Sequence, residues 1–315
     1  MKIVVIGGTG HVGTYMVPAL AMAGHEVISV SRQKRKPYTD HAAWKDVKQV
    51  VIDRIEADKK KTFGKQISKL SPDVVIDMIC FTSESAKMIV EALQGKVQHF
   101  LHCGTIWVHG GSEMVPTDET QFRRPFGEYG INKAAIETWL LGFSHRTGFP
   151  STILHPGHIV GPGWIPLNPA GNFNPEVYKK LAEGKELALP NLGMETVHHV
   201  HAEDVSQAFI KSITNRNTSV GESFHVVSPQ ALTLKGYATA MSEWFGREPK
   251  LRFLPWEKWK LTVSEKDANA TWDHIVHSPN CSIEKAKRLI NYNPRYTSLQ
   301  AVQEAVRYLI DKKLL

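Results

Sequence analysis

The stretch that most constrains this chain is its opening, "KIVVIGGTGHVG". A Val/Ile-rich run at 2–7 meets Gly7, Gly10 and Gly13 in a G-x-x-G-x-x-G spacing, and a helical pattern, "HVGTYMVPALAMAG", follows at once. A glycine turn between strand and helix lets the backbone approach a pyrophosphate and aims a helix N-terminus at its charge. The spacing alone is weak, but its placement after a strand and before a helix is the context a dinucleotide site needs. Gly7, Gly10, His11, Val12 and Gly13 are the candidate residues of that turn.

The same alternation continues through the first half. Apolar runs at 25–31, 47–53, 72–78, 97–103 and 151–156 read as further strands, most of them separated by segments of helical length. Strand and helix in alternation imply an α/β fold, a doubly wound parallel sheet of Rossmann type covered on both faces. From 156 to 175 the texture changes, with five Pro and four Gly in twenty residues, and an irregular functional loop is expected. The expected division is a dinucleotide-binding domain from 1–165 plus 197–227 and a smaller C-terminal substrate domain from 166–196 plus 228–315.

The tip of the second strand selects between dinucleotides, because it meets the adenosine ribose. An acidic residue there would bind the 2′-hydroxyl of NAD. This chain has "SVSRQKRK", with Ser31, Arg32 and Arg35, and hydroxyl and guanidinium groups suit a 2′-phosphate. The net charge of +7 is concentrated here: 31–65 holds eleven Lys/Arg against five Asp/Glu. NADP is therefore favoured over NAD, while the same basic stretch leaves room for a solvated face or for nucleic acid.

"EYGINKAAIE" places Tyr129 and Lys133 four apart, on one face of a predicted helix. A phenol, with a pKa of about 10, is a poor acid or base near neutrality. An ammonium held nearby would bring it into range. Alone the spacing fits a surface pair equally well. "FLHCGTIWVHG" supplies context, a strand running into a loop with the hydroxyl of Thr105 at its end.

Six motifs in order carry a resemblance. They are the glycine loop, Asp53 after the third strand, "CGTIWVHG", the Tyr129–Lys133 pair, "LHPGHIVGPG" (154–163) and "VHAEDVSQAF" (200–209), with a C-terminal "SIEKAKRLINYNPRYTSLQ" in support. Together they resemble the extended short-chain dehydrogenases/reductases of the NAD-dependent epimerase/dehydratase type. The resemblance implies Tyr129 as general acid/base, Lys133 lowering its pKa and holding the nicotinamide ribose, and Thr105 positioning the substrate oxygen. It implies cofactor contacts at Asp53, Met78 and Pro156 as well. Trp107, His109, His158, Trp164 and Asn172 should then lie near a sugar-like small-molecule substrate, and a homodimer should form on the helix after Tyr129.

Three departures narrow that picture. Ile106 and Trp107 follow Thr105 where dehydratases carry acids, so dehydration is disfavoured. Val197 stands where nucleotide-sugar epimerases often place an arginine that grips the diphosphate, and His155 replaces the family's arginine. "DVVIDMICFT" (73–82) looks more like an offshoot with nucleic-acid-associated members. The alternative to an enzyme is thus a non-catalytic dinucleotide-binding regulator or RNA-associated protein, although the intact Tyr–Lys pair makes nucleic acid the weaker expectation.

Other features fit structural roles. "VHHVH" (197–201) lacks the convergent carboxylate of most metal sites, and no metal is expected. Three scattered cysteines give no disulfide framework, and Cys103 reads as a packed small residue. The first strand begins at residue 2 and no apolar run nears the roughly 18 residues of a membrane span, so a cytoplasmic protein is expected.

Overall fold

The computed structural model describes residues 1–32 and 34–315. In chain order it contains β1 (Lys2–Ile6), α1 (His11–Met22), β2 (Glu26–Ser31), β3 (Lys48–Val51), α2 (Arg54–Lys59), α3 (Phe63–Ser68), β4 (Val74–Asp77), α4 (Ser83–Leu93), β5 (His99–Cys103), α5 (Gly127–Thr147) and β6 (Ser151–Pro156). These six strands and Ser223–Val226 form one seven-stranded sheet, ordered Ser223–Val226, β6, β5, β4, β1, β2, β3. Every pairing in it is parallel, with Val4 opposite Ile28 on one side and Val75 on the other. The order reverses between β1 and β4, and in such sheets ligands sit outside the strand C-termini at that point.

β1 reads as a continuous apolar run because both its faces are covered; Ile3, Val4 and Val5 are fully buried. Burial of each such side chain stabilises the fold by about 1.5–3 kcal/mol. Met16, Val17 and Leu20 of α1 pack with Phe209 over one face, and Phe63, Ile89, Val90 and Leu140 from α3, α4 and α5 cover the other. A separate core gathers Tyr178, Leu189, Tyr237, Met241, Trp259 and Val302. Ile283, Ala286, Ile290 and Tyr292, expected in the smaller C-terminal unit, instead bury themselves in the core over the sheet.

The Pro/Gly-rich segment is mostly irregular, but it contains one short strand, His158–Val160, paired in parallel with His199–His201. Asn168 fixes the rest: its Oδ1 accepts from Ala170 N at 2.8 Å and its Nδ2 donates to Asn172 Oδ1 at 2.7 Å. Among the described residues no helix is long and apolar enough to cross a membrane.

Candidate active site

The glycine turn is built as its spacing demands. Gly7 ends β1 with φ +86°, a conformation that favours glycine, and its carbonyl accepts from Gly10 N at 2.9 Å. A Cβ on Gly13 would lie 2.1 Å from the Gly8 carbonyl oxygen, so only glycine lets α1 pack this tightly on the turn. The first-turn N–H groups of α1 have no intrahelical acceptor and point out of the strand ends, as a pyrophosphate requires.

Beside the turn is a cavity of about 400 Å³ lined by Gly7, Gly10, Ser31, Arg32, Arg35 and Asp53, six of the expected cofactor residues. Asp53 also caps α2, accepting from Ile55 N at 3.0 Å. Among the described lining residues it is the only carboxylate, and it stands at the end of β3, not β2. Apolar walls, narrow glycine backbone and a basic rim fit an adenosine diphosphate group.

The side chains of His11, Val12, Met78 and Pro156 do not line this cavity. Val12 packs into the core and Pro156 lies in β6, paired with Val226, while Met78 packs against the same core. His11 is buried against the rings of Trp164 and Tyr38, at 4.6 and 5.0 Å between centroids. Burial and the neighbouring His201 hold its imidazole down at about 4. At His11 and Val12 only the backbone is left to meet a phosphate.

A further charged residue lines the cavity. Arg54 begins α2 but turns inward, donating from Nη1 to Asp77 Oδ1 at 2.6 Å and from Nε to Ser85 Oγ at 2.9 Å, over the ring of Phe63. Nothing in the sequence marks it, since an arginine in a first helical turn normally faces water. Asp77, Cys80 and His102 bring potential metal-binding atoms within 4.8 Å of one another. Arg54 already neutralises Asp77, and the Lys133 ammonium lies against the Cys80 carbonyl, so the cluster reads as an ion-pair network.

The catalytic candidates converge at the end of β5. Thr105 follows the strand and caps a short 3-10 turn, accepting from Trp107 N at 3.3 Å. Tyr129 sits in the first turn of α5 with its hydroxyl facing Thr105. Lys133 is buried one turn on, where it donates to Cys103 O at 2.6 Å and Cys80 O at 2.8 Å and lies 4.9 Å over Phe81. The expected depression of the Tyr129 pKa by Lys133 is not met. Burial pushes the phenol up to about 12, and only Thr105 pulls it back. The residue as a whole is 43% exposed, yet its surroundings desolvate the phenol enough to raise its pKa. The lysine ammonium, itself pushed down by burial, points at the two carbonyls, 5.9 Å from the tyrosine ring centre.

Of the five expected substrate residues, two join this centre. Trp107 stands edge-on to Tyr129 at 6.0 Å and to His158 at 6.0 Å. The other three do not. Trp164 stacks on Tyr38 at the cofactor end. Asn172 is buried with its amide engaged by Asn168 and Thr271. His109 points beneath α5 and meets His225 Nε2 at 2.8 Å. The helix Glu265–His277 supplies what was missed: His277 stacks on Trp107 at 4.0 Å, and His274 lies 5.4 Å from Trp107 and 4.7 Å from His158. Phe126 and Phe173 close the ring of aromatics at 4.1 Å from His277 and 5.5 Å from His274.

Below the catalytic residues, on the same face of α5, Glu137 accepts from Arg123 Nη2 at 2.9 Å and lies 3.4 Å from His155 Nε2. Burial alone would raise its pKa, but His155 and Arg123 outweigh it and hold the carboxylate well below its usual range. In "VHHVH", His198 meets Ser228 O at 2.8 Å, His199 meets Leu167 O at 3.1 Å and His201 caps the following helix, so the three side chains diverge.

Several known proteins are similar to this chain. A crystal structure of UDP-glucose 4-epimerase with UDP-glucose from the hyperthermophile Thermotoga maritima matches all of this chain and all of its own, with a TM-score of 0.74 at 20% identity. Chloroplast stem-loop binding protein of 41 kDa b from Arabidopsis thaliana is 24% identical over 311 residues, 96% of this chain and 78% of its own length. The dTDP-4-dehydro-6-deoxy-D-allose reductase of a Streptomyces species is 24% identical over 80% of this chain and 84% of its own. The sequence signature of one family matches residues 3–226, from β1 through the last strand of the sheet, and the chain belongs to it: the NAD dependent epimerase/dehydratase family.

Proposed function

We propose that this protein is an NAD(P)-dependent oxidoreductase or epimerase acting at a secondary alcohol or carbonyl of a sugar-like small molecule, with Tyr129 as its general acid/base. The observation that carries this is the Tyr129 hydroxyl facing Thr105 at the end of β5, with Lys133 one helical turn away and the dinucleotide-shaped cavity alongside. When bound, the nicotinamide gives or takes hydride at carbon. Tyr129 holds the proton that the substrate oxygen gains or loses, Thr105 positions that oxygen, and Lys133 holds the ribose. A phenol kept at about 12 is fully protonated at neutral pH, which suits proton donation to a carbonyl.

NADP is the favoured cofactor, because Arg32 and Arg35 rim the cavity beside the end of β2. Dehydration is disfavoured, because the residues after Thr105 are a buried isoleucine and Trp107, neither able to transfer a proton. A homodimer on α5 fits the exposed Ile131 of that helix. Tyr129→Phe is the test: NADPH affinity should hold while turnover falls by about a hundredfold or more. Unchanged turnover would remove the mechanism.

A second reading, RNA association, is favoured by a cavity of about 700 Å³ next to the first, lined by Arg35, Lys36, His41 and Trp44. Binding through phosphates should weaken steeply between 50 and 200 mM salt. Absence of RNA binding at low salt removes this reading.

A further inference from the structure

Eight rings surround the proposed reacting position. From Phe81 they run through Tyr129 and Trp107 to His277 and Phe126 on one side, and to His274, His158 and Phe173 on the other, each centroid 4.0–6.4 Å from the next. Phe81, Phe126 and Phe173 keep substantial exposed surface around the exposed edge of Tyr129, so the rings open to solvent at one mouth. The three imidazoles add no charge, since burial lowers each below its ordinary value.

Cations are absent from this wall among the described residues. Lys133 is buried and tied to two carbonyls. On the loop before Phe126, Arg123 is bound to Glu137 and to the carbonyls of Glu119 and Gln121, and Arg124 pairs with Glu113 at 2.7 Å. Val197 is fully buried, in a two-residue strand against Leu232, and brings no charge. A nucleoside diphosphate brings at least two negative charges, which proteins bind with guanidinium, ammonium or helix N-termini. Neutral rings offer none of these. They offer flat apolar surface and unpaired imidazole nitrogens, His158 Nε2 and His277 Nε2 both lacking a partner.

We infer that the substrate is a neutral cyclic molecule, its ring held against the partly exposed Trp107 at the mouth of this aromatic cluster, and that no nucleoside diphosphate is part of it. This rests on the reading of Tyr129 as the acid/base, and it departs from the nucleotide-bearing ligand of the Thermotoga structure. Aromatic faces bind such a ring by packing and edge contacts.

The experiment uses the full chain saturated with NADPH, so that the adenosine cavity is blocked. Two neutral ring ketones, 1-tetralone and cyclohexanone, and one charged probe, UDP-glucose, are compared by saturation-transfer NMR and by NADPH consumption. At least one ketone should bind, and Trp107→Ala should weaken it about tenfold or more with NADPH affinity unchanged. Trp107→Phe, which keeps a ring and guards against misfolding, should weaken it less. UDP-glucose in tenfold excess should not displace the ketone. Displacement by UDP-glucose, or failure of both ketones to bind, overturns the inference. Failure of the Tyr129 reading is separate: ketone binding intact, but turnover equal in Tyr129→Phe.

Discussion

The proposed cofactor end and the proposed substrate end of this cleft are built by opposite means. The cofactor end comes from short stretches at the tips of adjacent strands, with Gly7–Gly13 after β1, Ser31, Arg32 and Arg35 at the end of β2, and Asp53 after β3. Its chemistry is charge and close backbone approach, and it is open to water. The substrate end draws Trp107, Phe126, Tyr129, His158, Phe173, His274 and His277 from segments up to 170 residues apart, and its chemistry is ring packing among groups that burial keeps neutral. A dinucleotide asks for the same contacts in every relative, so a fixed local turn suffices. A substrate varies, so its wall is assembled by tertiary packing from parts with no spacing rule.

The two ends meet at one buried pair. Arg54 lines the cofactor cavity, and its partner Asp77 ends β4 three residues before Cys80, whose carbonyl anchors Lys133. The largest expected effect is therefore at Asp77. Asp77→Ala leaves a guanidinium buried without its carboxylate, and the urea midpoint should report a loss of about 3–5 kcal/mol. The double variant Arg54→Met with Asp77→Leu should regain most of that loss, because neither charge is then stranded. A double variant as unstable as the single would mean the site depends on shape at Asp77, not on charge pairing.

The cofactor end can be inverted by itself. Arg32→Asp should cost NADPH about 1.5–3 kcal/mol of affinity, the range for a hydrogen bond to a charged group, and should leave NADH nearly unaffected. Calorimetry on protein stripped of copurified cofactor checks it. Equal losses for both cofactors would place Arg32 on the adenine face and not on a 2′-phosphate.

How far the sequence could be read follows the same division. β1 to β6 fall within their expected ranges because each contains a short apolar run, Val/Ile-rich in β1, β2 and β4, within the alternation of strand and helix. Gly13 is legible because its Cβ has nowhere to go. Thr105, Tyr129 and Lys133 meet as the motif order implied, since strand end and helix face are both periodic features. His109, Trp164 and Asn172 were misplaced because side-chain direction in an irregular loop has no period to read. Asn172 is spent on Asn168 and Thr271, and His109 turns under the helix toward His225. Arg54, His274 and His277 were missed for another reason. Their roles depend on what packs against them from distant segments, and locally they look like any charged or polar helical residue.

The smallest expected effect separates the ends by pH. The substrate wall's imidazoles are held below their ordinary pKa of about 6.5, as are His198 and His11, each at about 4. The unfolded chain therefore binds more protons than the folded one once pH falls below about 6.5, and the stability is full above that value and is lost as pH falls toward 4. Each such histidine contributes at most about 1.4 kcal/mol per pH unit. Glu119 and Asp204, pushed up by burial, offset part of the slope at its acid end. Burial keeps His274 neutral, with the facing His277 helping, while the Ala270 and Gly171 backbone and Asp273 oppose it. His274→Phe keeps the ring contact with Trp107 and removes one titrating group, so urea midpoints taken from pH 7 to pH 5 should fall less steeply than in the parent. Phe cannot take a proton at any pH in that range. A parallel slope would mean that His274 titrates in the folded protein as it does in the unfolded chain, so that below about pH 6.5 the proposed substrate wall would carry a cation able to meet an anionic ligand after all.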